Sequence, residues 1–445
     1  MKKLLFTILI ISLNLNAQTY INKNWVLFNK NNSPLLSNSI NALFIDDDGG
    51  YWISSVGENN RGYLQLFKDG LWLTFDSSNS PLNTSVIITD ITETADGKML
   101  FGTVTSGIYT YKKDNGVWDS INTNNSPLPD NFIFRVAVDK LNRYWLGIPN
   151  YGIATYDNGS WFFFNDQNSF HGIGDLNFIK VDSSNNIWVG TDFFGLYYYN
   201  GNSWIKSISG QFSGGPRQAI TGLGIDSENR KWVSINMQGG GSKIAKSITD
   251  TSFVYYDSTD FGFSFTLLSY DGVVIDQHNV KYFGTTNGLL IHNDSIWQLL
   301  NIFNSPIPAD WFNKGLVDSR NNKVYTLSSF EPYNNYGLIF YNQDSVIVSS
   351  AENHSFSIND FYLYQNYPNP FNLMTKIKFS IPKTEIVQLK IYDVLGNEIK
   401  TLLNDFKTNG TYEIEFDASN LPSSVYFYKM ISGNYSETKK MILLR

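Results

Sequence analysis

An aspartate followed six residues later by a tryptophan recurs through the first three quarters of this 445-residue sequence. A repeat constrains the fold more than a single motif, because each copy must form the same local structure and pack against the next copy. Four copies keep both residues and three are variants. The four are Asp46 with Trp52, Asp139 with Trp145, Asp182 with Trp188 and Asp226 with Trp232, and the variants are Asp276 with Tyr282, Asp318 with Val324 and Thr94 with Leu100.

A second motif alternates with the first. A tryptophan is followed eight residues later by the serine of an Asn-Ser-Pro segment, at Trp25 and Ser33, Trp72 and Ser80, Trp118 and Ser126, and Trp297 and Ser305. Trp161 and Ser169 keep the spacing without the proline. The units therefore begin at Trp25, Trp72, Trp118, Trp161, Trp204, Phe253 and Trp297, at intervals of 43 to 49 residues.

Each unit predicts four short antiparallel strands. A strand, an Asp/Asn/Gly turn and a second strand form a hairpin, in which aspartate caps the turn and glycine or asparagine accepts a positive φ. Two more strands complete a propeller blade, so seven units predict an all-β, seven-bladed β-propeller. A solenoid would need shorter repeats with parallel strands. Two segments compete to complete the last blade, residues 25–28 (WVLF) and residues 345–348 (SVIV).

The repeats resemble a known family. The segments "NFIFRVAVDKLNRYWLGIPNYGIATY" and "LNFIKVDSSNNIWVGTDFFGLYYY" are similar to the two-component-regulator propeller repeat, although Ile148 and Ile235 replace its threonine. The resemblance implies a propeller of the kind that occurs in periplasmic sensor halves of hybrid histidine kinases, where it is associated with polysaccharide-derived signals, and also in secreted proteins without a kinase. Residues 351–445 lack kinase motifs, so the resemblance supports the fold and not a signalling role.

The N-terminus has the order of a secretory signal peptide. Lys2 and Lys3 precede an apolar run over residues 4–13, and Ala17 and Gln18 flank the expected cleavage site. The run is too short to span a bilayer. We therefore predict a signal peptide over residues 1–17 and no transmembrane segment in the mature chain.

Composition excludes several classes of function. The chain has no cysteine and four scattered histidines, so neither a thiolate metal site nor a paired-histidine zinc site is expected. The net charge of −7 without a basic stripe argues against nucleic acid as a partner. We expect no metal and no cofactor.

The repeat stops near residue 357, and the short alternating strands that follow predict a small Ig-like β-sandwich. This segment closely resembles the type A C-terminal sorting domain of the type IX secretion system of Gram-negative bacteria. The residues that carry the resemblance include Asn366, Tyr367, Pro368, Asn369, Pro370, Phe371 and Asn372 at its start and Lys440 and Arg445 at its end. It implies the type IX machinery as a partner and export to the extracellular space or the outer-membrane surface. The predicted organisation is signal peptide 1–17, propeller 18–350, linker 351–360 and sorting domain 361–445.

Aromatic residues cluster in the loops that follow the second strand of several blades. These loops are expected to share one face of the propeller with the Asn-Ser-Pro loops, where aromatic rings would stack on sugars or form a protein hot spot. The alternative is that the rings pack blade against blade. The candidates are Tyr151, Phe193, Phe194, Trp311, Phe330, Tyr333 and Tyr336, with Phe170 nearby.

The sequence favours a non-catalytic module that binds a glycan or a surface protein. The repeated aspartates lie in turns, where a structural role is expected, so no catalytic residue is assigned. Two alternatives remain: a polysaccharide-degrading enzyme with carboxylates at the central channel, and a sensor component that acts with a separate kinase. A tight pair or trio of carboxylates at the channel mouth would favour the enzyme.

Overall fold

The computed structural model of the protein describes residues 19–22, 24–170, 172–173, 176–210, 217–238, 241–261, 268–328, 335–342, 362–363, 366, 371–381, 383–408, 410–433 and 435–444. The predicted signal peptide with its cleavage site at Ala17 and Gln18, the predicted linker, and the candidate closing segment 345–348 lie outside these residues.

Seven antiparallel sheets form the propeller. In chain order its strands are β1 (Thr19–Asn22), β2 (Trp25–Phe28), β3 (Ile40–Ile45), β4 (Tyr51–Val56), β5 (Gly62–Lys68), β6 (Leu71–Phe75), β7 (Ile88–Glu93), β8 (Lys98–Thr103), β9 (Ile108–Lys112), β10 (Val117–Ile121), β11 (Arg135–Val138), β12 (Tyr144–Ile148), β13 (Gly152–Asp157), β14 (Ser160–Phe164), β15 (Leu176–Val181), β16 (Ile187–Thr191), β17 (Gly195–Tyr199), β18 (Trp204–Ser209), β19 (Gln218–Ile225), β20 (Lys231–Met237), β21 (Ser242–Thr249), β22 (Ser252–Tyr256), β23 (Leu268–Ile275), β24 (Lys281–Thr285), β25 (Gly288–His292), β26 (Trp297–Leu300), β27 (Trp311–Val317), β28 (Lys323–Ser328) and β29 (Asn335–Tyr341). A 3-10 turn (Glu58–Asn60) and a one-turn helix α1 (Ser258–Phe261) are the helical elements of the described residues.

Blades 1 to 6 each contain four consecutive strands from β3 to β26, and we call them A to D from the channel outward. Successive A strands pack side by side, and the last of them, β27, packs against β3 of blade 1. This closes a ring of seven blades and confirms the predicted fold class. All seven unit starts lie in the outermost repeat strand of a blade, which explains their even spacing.

The N-terminal segment closes the ring. Blade 7 has the strand order β1-β2-β29-β28-β27, so β2 supplies its D strand and β1 adds a fifth. Trp25 pairs with Tyr341 and Phe28 with Leu338 in an antiparallel ladder. Of the two candidate segments, residues 25–28 therefore occupy the closing position.

The six-residue spacing from aspartate to tryptophan is a hydrogen-bonded turn. In blade 4, Asp182 Oδ1 accepts the backbone N–H groups of Ser184 and Asn186, each at 2.9 Å, and Oδ2 accepts Trp188 Nε1–H at 2.9 Å. Asn185 at the fourth position has φ +66°, which asparagine tolerates better than most residues. The tryptophan bond recurs at Asp46, Asp139 and Asp226 with distances of 2.8, 3.0 and 3.1 Å.

Side chains of these turns also hold neighbouring blades together. Asn185 Oδ1 accepts the N–H of Lys140 in the preceding blade at 2.8 Å, and Asn229 repeats the contact with Ser183 at 3.2 Å. The buried Lys231 ammonium lies 3.0 Å from Asp182 Oδ2 and 4.8 Å from the centroid of the Trp188 ring. Each turn therefore fixes both its own hairpin and the position of the next blade.

The junction between blades 1 and 7 uses the same position with a different residue. The Tyr51 hydroxyl donates a hydrogen bond to Asp318 Oδ2, and both groups are buried. Burial and the Asp318 carboxylate raise the pKa of Tyr51, so this hydroxyl remains a donor at all physiological pH values.

The Asn-Ser-Pro loops are self-capping. In the first copy Ser33 Oγ donates to Asn29 O at 2.7 Å, and Asn32 Oδ1 accepts the Asn29 N–H at 2.7 Å. A residue further along closes the loop by accepting a backbone N–H: Asn38 from Lys30 at 2.8 Å, Asn131 from Thr123 at 2.9 Å and Asp310 from Ile302 at 2.8 Å. The motif is thus a structural turn.

We expect Asp310→Asn to stabilise the propeller at pH 7. Burial, partly offset by the hydrogen bond from the Ile302 N–H, raises the pKa of Asp310 to about 6. The folded state therefore favours the protonated carboxyl group. This contribution to the free energy of unfolding is fully present below about pH 4 and is lost as the pH rises through 6. An asparagine accepts the same N–H without a charge, and because the site is partly open to solvent we expect a gain of about 1 kcal/mol. The gain should vanish near pH 4.

Tryptophan fluorescence during urea unfolding measures this effect, since all eleven tryptophans precede residue 312 and report on the propeller alone. Asp119→Asn, at an exposed position on β10, is the matched control and should change nothing. An equal gain from Asp310→Asn at pH 4 and pH 7 would contradict the assignment.

The C-terminal region forms two sheets. Its strands are β30 (Tyr362–Leu363), β31 (Met374–Ile381), β32 (Glu385–Tyr392), β33 (Glu398–Lys407), β34 (Gly410–Asp417), β35 (Ser424–Ser432) and β36 (Tyr435–Leu443), in the sheet orders β30-β31-β34 and β33-β32-β35-β36. Phe379 and Phe416 from one sheet and Leu389 and Tyr428 from the other lie in one buried cluster. This is the predicted Ig-like sandwich.

The described residues of the NYPNPFN motif are tied into this sandwich. Asn366 is buried, its N–H donates to the Tyr428 hydroxyl at 2.8 Å, and its amide Nδ2 donates to Thr375 Oγ1 at 2.9 Å. Phe371 lies in the core, whereas Asn372 and Lys440 are exposed. Tyr367, Pro368, Asn369, Pro370 and Arg445 lie outside the described residues.

Candidate functional site

Two of the predicted aromatic residues lie exposed on one face of the propeller. Strand direction alternates within a blade, so the loops between B and C strands and the Asn-Ser-Pro loops share one face, which we call the BC face. Tyr151, in the loop of blade 3, is 51% exposed, and Phe193, in the loop of blade 4, is 44% exposed. The Arg217 guanidinium lies 5.7 Å from the centroid of the Phe193 ring, within cation–π range.

The other described candidates face inward. The Phe194 ring packs on Gly172, where an added Cβ would lie 2.0 Å from Phe194 Cδ2. Phe170 is buried and stacks on Tyr197 with ring centroids 3.8 Å apart. Tyr336 packs against the core of blades 6 and 7, and Trp311 is partly buried at the start of β27. Phe330 and Tyr333 lie outside the described residues.

Irregularities in the A strands place polar side chains toward the channel. Hydrogen-bond register shifts between Ile88 and Asp90 in blade 2 and between Phe312 and Gly315 in blade 7, with similar shifts in blades 1, 4, 5 and 6. A bulge inserts an extra residue and redirects the side chains around it. The residues at or beside these shifts include the polar residues Asp90, Asn177, Asp271 and Lys314.

Charges alternate along the ring of A strands. Lys314 Nζ lies 2.8 Å from Asp90 Oδ1 and 3.6 Å from Asp271 Oδ2, and Lys180 Nζ lies 2.7 Å from Asp271 Oδ1. Burial opposes ionisation of Asp271, but Lys180 and Lys314 outweigh it, so the pKa of this carboxyl is lowered. Burial likewise opposes the charge on Lys314, yet Asp90 and Asp271 raise the pKa of its ammonium group. Both therefore stay ionised and pair across blades.

A second cluster of polar side chains links blades 4 and 6. It includes Asp192, which lies in a loop of the BC face. Asp192 Oδ1 accepts the Tyr270 hydroxyl at 3.2 Å and the Asn177 amide Nδ2 at 2.9 Å. Tyr270 is 48% exposed, and burial with the adjacent Asp192 raises its pKa to about 12. Arg135 Nε donates to Asn177 O at 2.6 Å, and its guanidinium stacks 3.8 Å from the centroid of the Phe134 ring.

This arrangement offers aromatic surface beside hydrogen-bonding groups. Tyr270 and Arg135 were not among the predicted site residues, because each lies within a segment that predicts a β-strand. Polar residues inside an A strand, such as those of "LSYDGVVI", could have indicated side chains of a functional site.

The arrangement of carboxylates bears on the enzyme alternative. In the ring of A strands, Asp90 and Asp271 each pair with lysine. Among the described residues, no three histidine, aspartate or glutamate side chains converge closely enough to hold a metal ion. No helix of the described residues is long and apolar enough to cross a membrane.

Two family models match the chain. Residues 34–57 match the two component regulator propeller, and residues 365–444 match the secretion system C-terminal sorting domain. The first match covers the A and B strands of blade 1 with their aspartate turn. No curated protein matches the chain.

Solved structures share the fold at low identity. PorZ, described as an essential surface component of the type-IX secretion system of Porphyromonas gingivalis, is 15% identical with a TM-score of 0.55 over 92% of this chain and 60% of its own. The extracellular domain of the putative one component system BT4673 from B. thetaiotaomicron is 16% identical with a TM-score of 0.54 over 95% of this chain and 59% of its own. Virginiamycin B lyase from Staphylococcus aureus is 12% identical with a TM-score of 0.50 over 68% of this chain and 94% of its own.

The chain spans about three fifths of the length of the first two structures. At such identities the likeness concerns the fold alone, and propellers of this shape include both a secretion component and an enzyme. The sorting domain carries the information on location, and it implies an interaction with the type IX machinery. The chain thus combines two-component-regulator propeller repeats with a type IX secretion C-terminal sorting domain, and it is a secreted or cell-surface protein.

Proposed function

We propose that the propeller is a non-catalytic module that binds a glycan or a surface protein through its BC face. The observation that carries the proposal is the exposure of Tyr151, Phe193 and Tyr270, three large aromatic side chains on loops or strands of this face. Exposed aromatic rings beside hydrogen-bonding groups stack on sugar rings, and they also form the anchors of protein interfaces.

Charge pairing supports binding rather than hydrolysis. Most glycoside hydrolases use a pair of carboxyl groups, one of which is protonated near neutral pH so that it can donate a proton. Asp310, a carboxyl of the BC face whose pKa is raised, accepts the Ile302 N–H within its own loop. In the ring of A strands the pKa of Asp271 is instead lowered, and its carboxylate is held between two lysines. The proposal therefore assigns these charges to holding the blades together.

The proposed domain organisation follows the same division. We infer that the propeller, over residues 18–350, is the exported passenger and that residues 361–445 direct its export, joined by a linker over residues 351–360. Asn366, Phe371, Asn372 and Lys440, together with Tyr367, Pro368, Asn369, Pro370 and Arg445, are the proposed sorting-signal residues.

Replacing Tyr151 and Phe193 together by alanine is expected to weaken glycan binding by about tenfold or more, because anchor aromatics each contribute about 1–2 kcal/mol. The full chain and the variant are compared on an array of bacterial and host polysaccharides, with a reducing-sugar assay on every bound glycan. Phe162→Ala is the matched control, since this ring is 54% exposed but lies on the D strand of blade 3.

Release of reducing ends from a bound glycan would overturn the non-catalytic assignment. Equal losses from the double variant and from Phe162→Ala would overturn the assignment of the face. To test a protein partner, a photo-crosslinking residue is placed at position 151 or at position 162 of the secreted chain. An adduct specific to position 151 is expected, and equal adducts at both positions would contradict the proposal.

A further inference from the structure

A pocket lies between blades 5 and 6. Its walls come from the A–B turn, β21, β22 and α1 of blade 5 and from the end of β25, the following turn and Trp297 of blade 6. Its volume is about 550 Å³, within the range of small-molecule sites. Every residue of its lining is described.

Three aromatic rings form one wall. His292 stacks on Trp297 with ring centroids 4.0 Å apart and an angle of 13° between planes, and Tyr256 lies 5.4 Å from Trp297. His292 Nδ1 lies 3.1 Å from the Ile296 carbonyl oxygen, so it carries the proton of this bond. Burial lowers the pKa of His292, which leaves a neutral ring whose Nε2 is an acceptor without a partner among the described residues.

The cations of the pocket differ in how they are paired. Arg230 is neutralised twice, by Asp226 Oδ2 at 2.7 Å and by Glu228 Oε2 at 2.8 Å. Lys246 is partly buried over the Trp232 ring, 5.1 Å from its centroid, and has no carboxylate within 4.0 Å among the described residues. An anion that contacts this ammonium group would offset the cost of its partial removal from water.

Two carboxylates, those of Asp260 and Asp294, line other parts of the pocket. Asp294 uses Oδ1 to accept Lys281 Nζ at 2.6 Å, and Asp260 uses Oδ2 to accept the Asp257 N–H at 2.9 Å. The second oxygen of each carboxylate remains an acceptor. The pocket therefore presents one unpaired positive group, the carboxylate of Asp260, the Asp294 carboxylate that Lys281 already pairs, and an aromatic wall.

We propose that this pocket binds a small zwitterion, a free amino acid or a dipeptide. Its carboxylate contacts Lys246, its ammonium group contacts Asp260 or Asp294, and its side chain packs on the rings of Tyr256, His292 and Trp297. A purely anionic ligand would be repelled by the carboxylates, and a purely cationic one by Lys246. The proposal involves none of the exposed aromatic residues Tyr151, Phe193 and Tyr270.

Titration calorimetry on the full chain with the twenty L-amino acids and with dialanine tests the proposal. We expect binding of at least one zwitterion, and at least about tenfold weaker binding of the same compound with its amine acetylated or its carboxylate amidated. Lys246→Gln should also weaken it about tenfold. Lys206→Gln is the matched control, because this lysine lies over the Tyr197 ring at a similar distance, 5.4 Å, outside the pocket.

A second variant keeps the test valid if Lys246→Gln fails to fold. Ser295 is exposed at the rim of the pocket, and Ser295→Tyr should block the ligand without touching Lys246. The proposal is overturned if no zwitterion binds at millimolar concentration, if the blocked compounds or N-acetylglucosamine bind equally well, or if Lys246→Gln and Ser295→Tyr, folded as judged by fluorescence, bind like the unmodified chain.

Discussion

Replacing Asp182 by alanine should lower the free energy of unfolding of the propeller by about 3–5 kcal/mol, the range for breaking a buried ion pair. The Asp182 carboxylate is buried, accepts hydrogen bonds from Ser184, Asn186 and Trp188, and pairs with the ammonium group of Lys231 in the next blade. Without this carboxylate, the Trp188 indole N–H loses its hydrogen-bond acceptor and the buried Lys231 ammonium group loses one of its two ion pairs. The remaining pair joins Lys231 Nζ to Asp250 Oδ1 at 2.8 Å.

The same carboxylate predicts a dependence on pH. Burial opposes its ionisation, but the hydrogen bonds from Trp188 and Asn186 and from Lys231 outweigh burial, and the pKa of Asp182 is lowered below 3.8. A lowered pKa in the folded state means that the contribution is present above about pH 4 and is lost as the pH falls further. The difference between the chain and Asp182→Ala should therefore shrink in acid.

Urea unfolding followed by tryptophan fluorescence measures both effects. Asp119→Ala is the matched control, since this aspartate is exposed on β10 and its removal should change stability by less than about 0.5 kcal/mol. A loss from Asp182→Ala no larger than that of the control would show that the repeated aspartate is dispensable for the hairpin.

A chain that begins at Asn29 instead of Thr19 is expected to lose cooperative unfolding of the propeller. The deletion removes the D strand of blade 7, in which Trp25, Val26, Leu27 and Phe28 are all buried. Each such side chain contributes about 1.5–3 kcal/mol when buried, so the sum is comparable with the entire stability of a typical domain, about 5–15 kcal/mol. The exposed edge of β29 would in addition favour aggregation.

The control for this truncation uses residues 345–348, the other segment that the sequence offers for the closing strand of blade 7. Replacing residues 345–348 by glycine and serine should leave the unfolding midpoint unchanged, because β2 occupies the position next to β29. A synthetic peptide of residues 19–30 should restore part of the cooperative transition to the truncated chain. The opposite pattern, with loss only on replacing residues 345–348, would place the closing strand at the other end of the propeller.

Much of the fold followed from local patterns. The aspartate turn could be predicted because the residues involved are close in sequence, and each blade repeats them. Asp182, Asn185 and Trp188 meet within one hairpin, where the positive φ of Asn185 and the hydrogen bonds of Asp182 are local requirements. The C-terminal sorting domain could be predicted for a different reason, because its sequence matches a family model over residues 365–444, nearly the whole sandwich.

The candidate site was less predictable, because its residues meet only when the ring closes. Tyr270 and Asp192 are 78 positions apart in the sequence and belong to blades 6 and 4. Nothing in the local pattern of either strand indicates that they meet. The aromatic candidates show the same limit. Phe193 and Phe194 are neighbours in the bend between β16 and β17, yet Phe193 is exposed and the Phe194 ring packs on Gly172 of the preceding loop.

The sequence alone determined the number of blades, their strands and turns, and the identity of the sorting domain, because these depend on residues a few positions apart. The tertiary structure decided which terminus closes the ring, how Asp90, Lys314, Asp271 and Lys180 pair across the blades, and where the pocket between blades 5 and 6 lies. Those features depend on contacts between residues of different blades. Such residues are far apart in the sequence and meet only when all seven blades have packed into the ring.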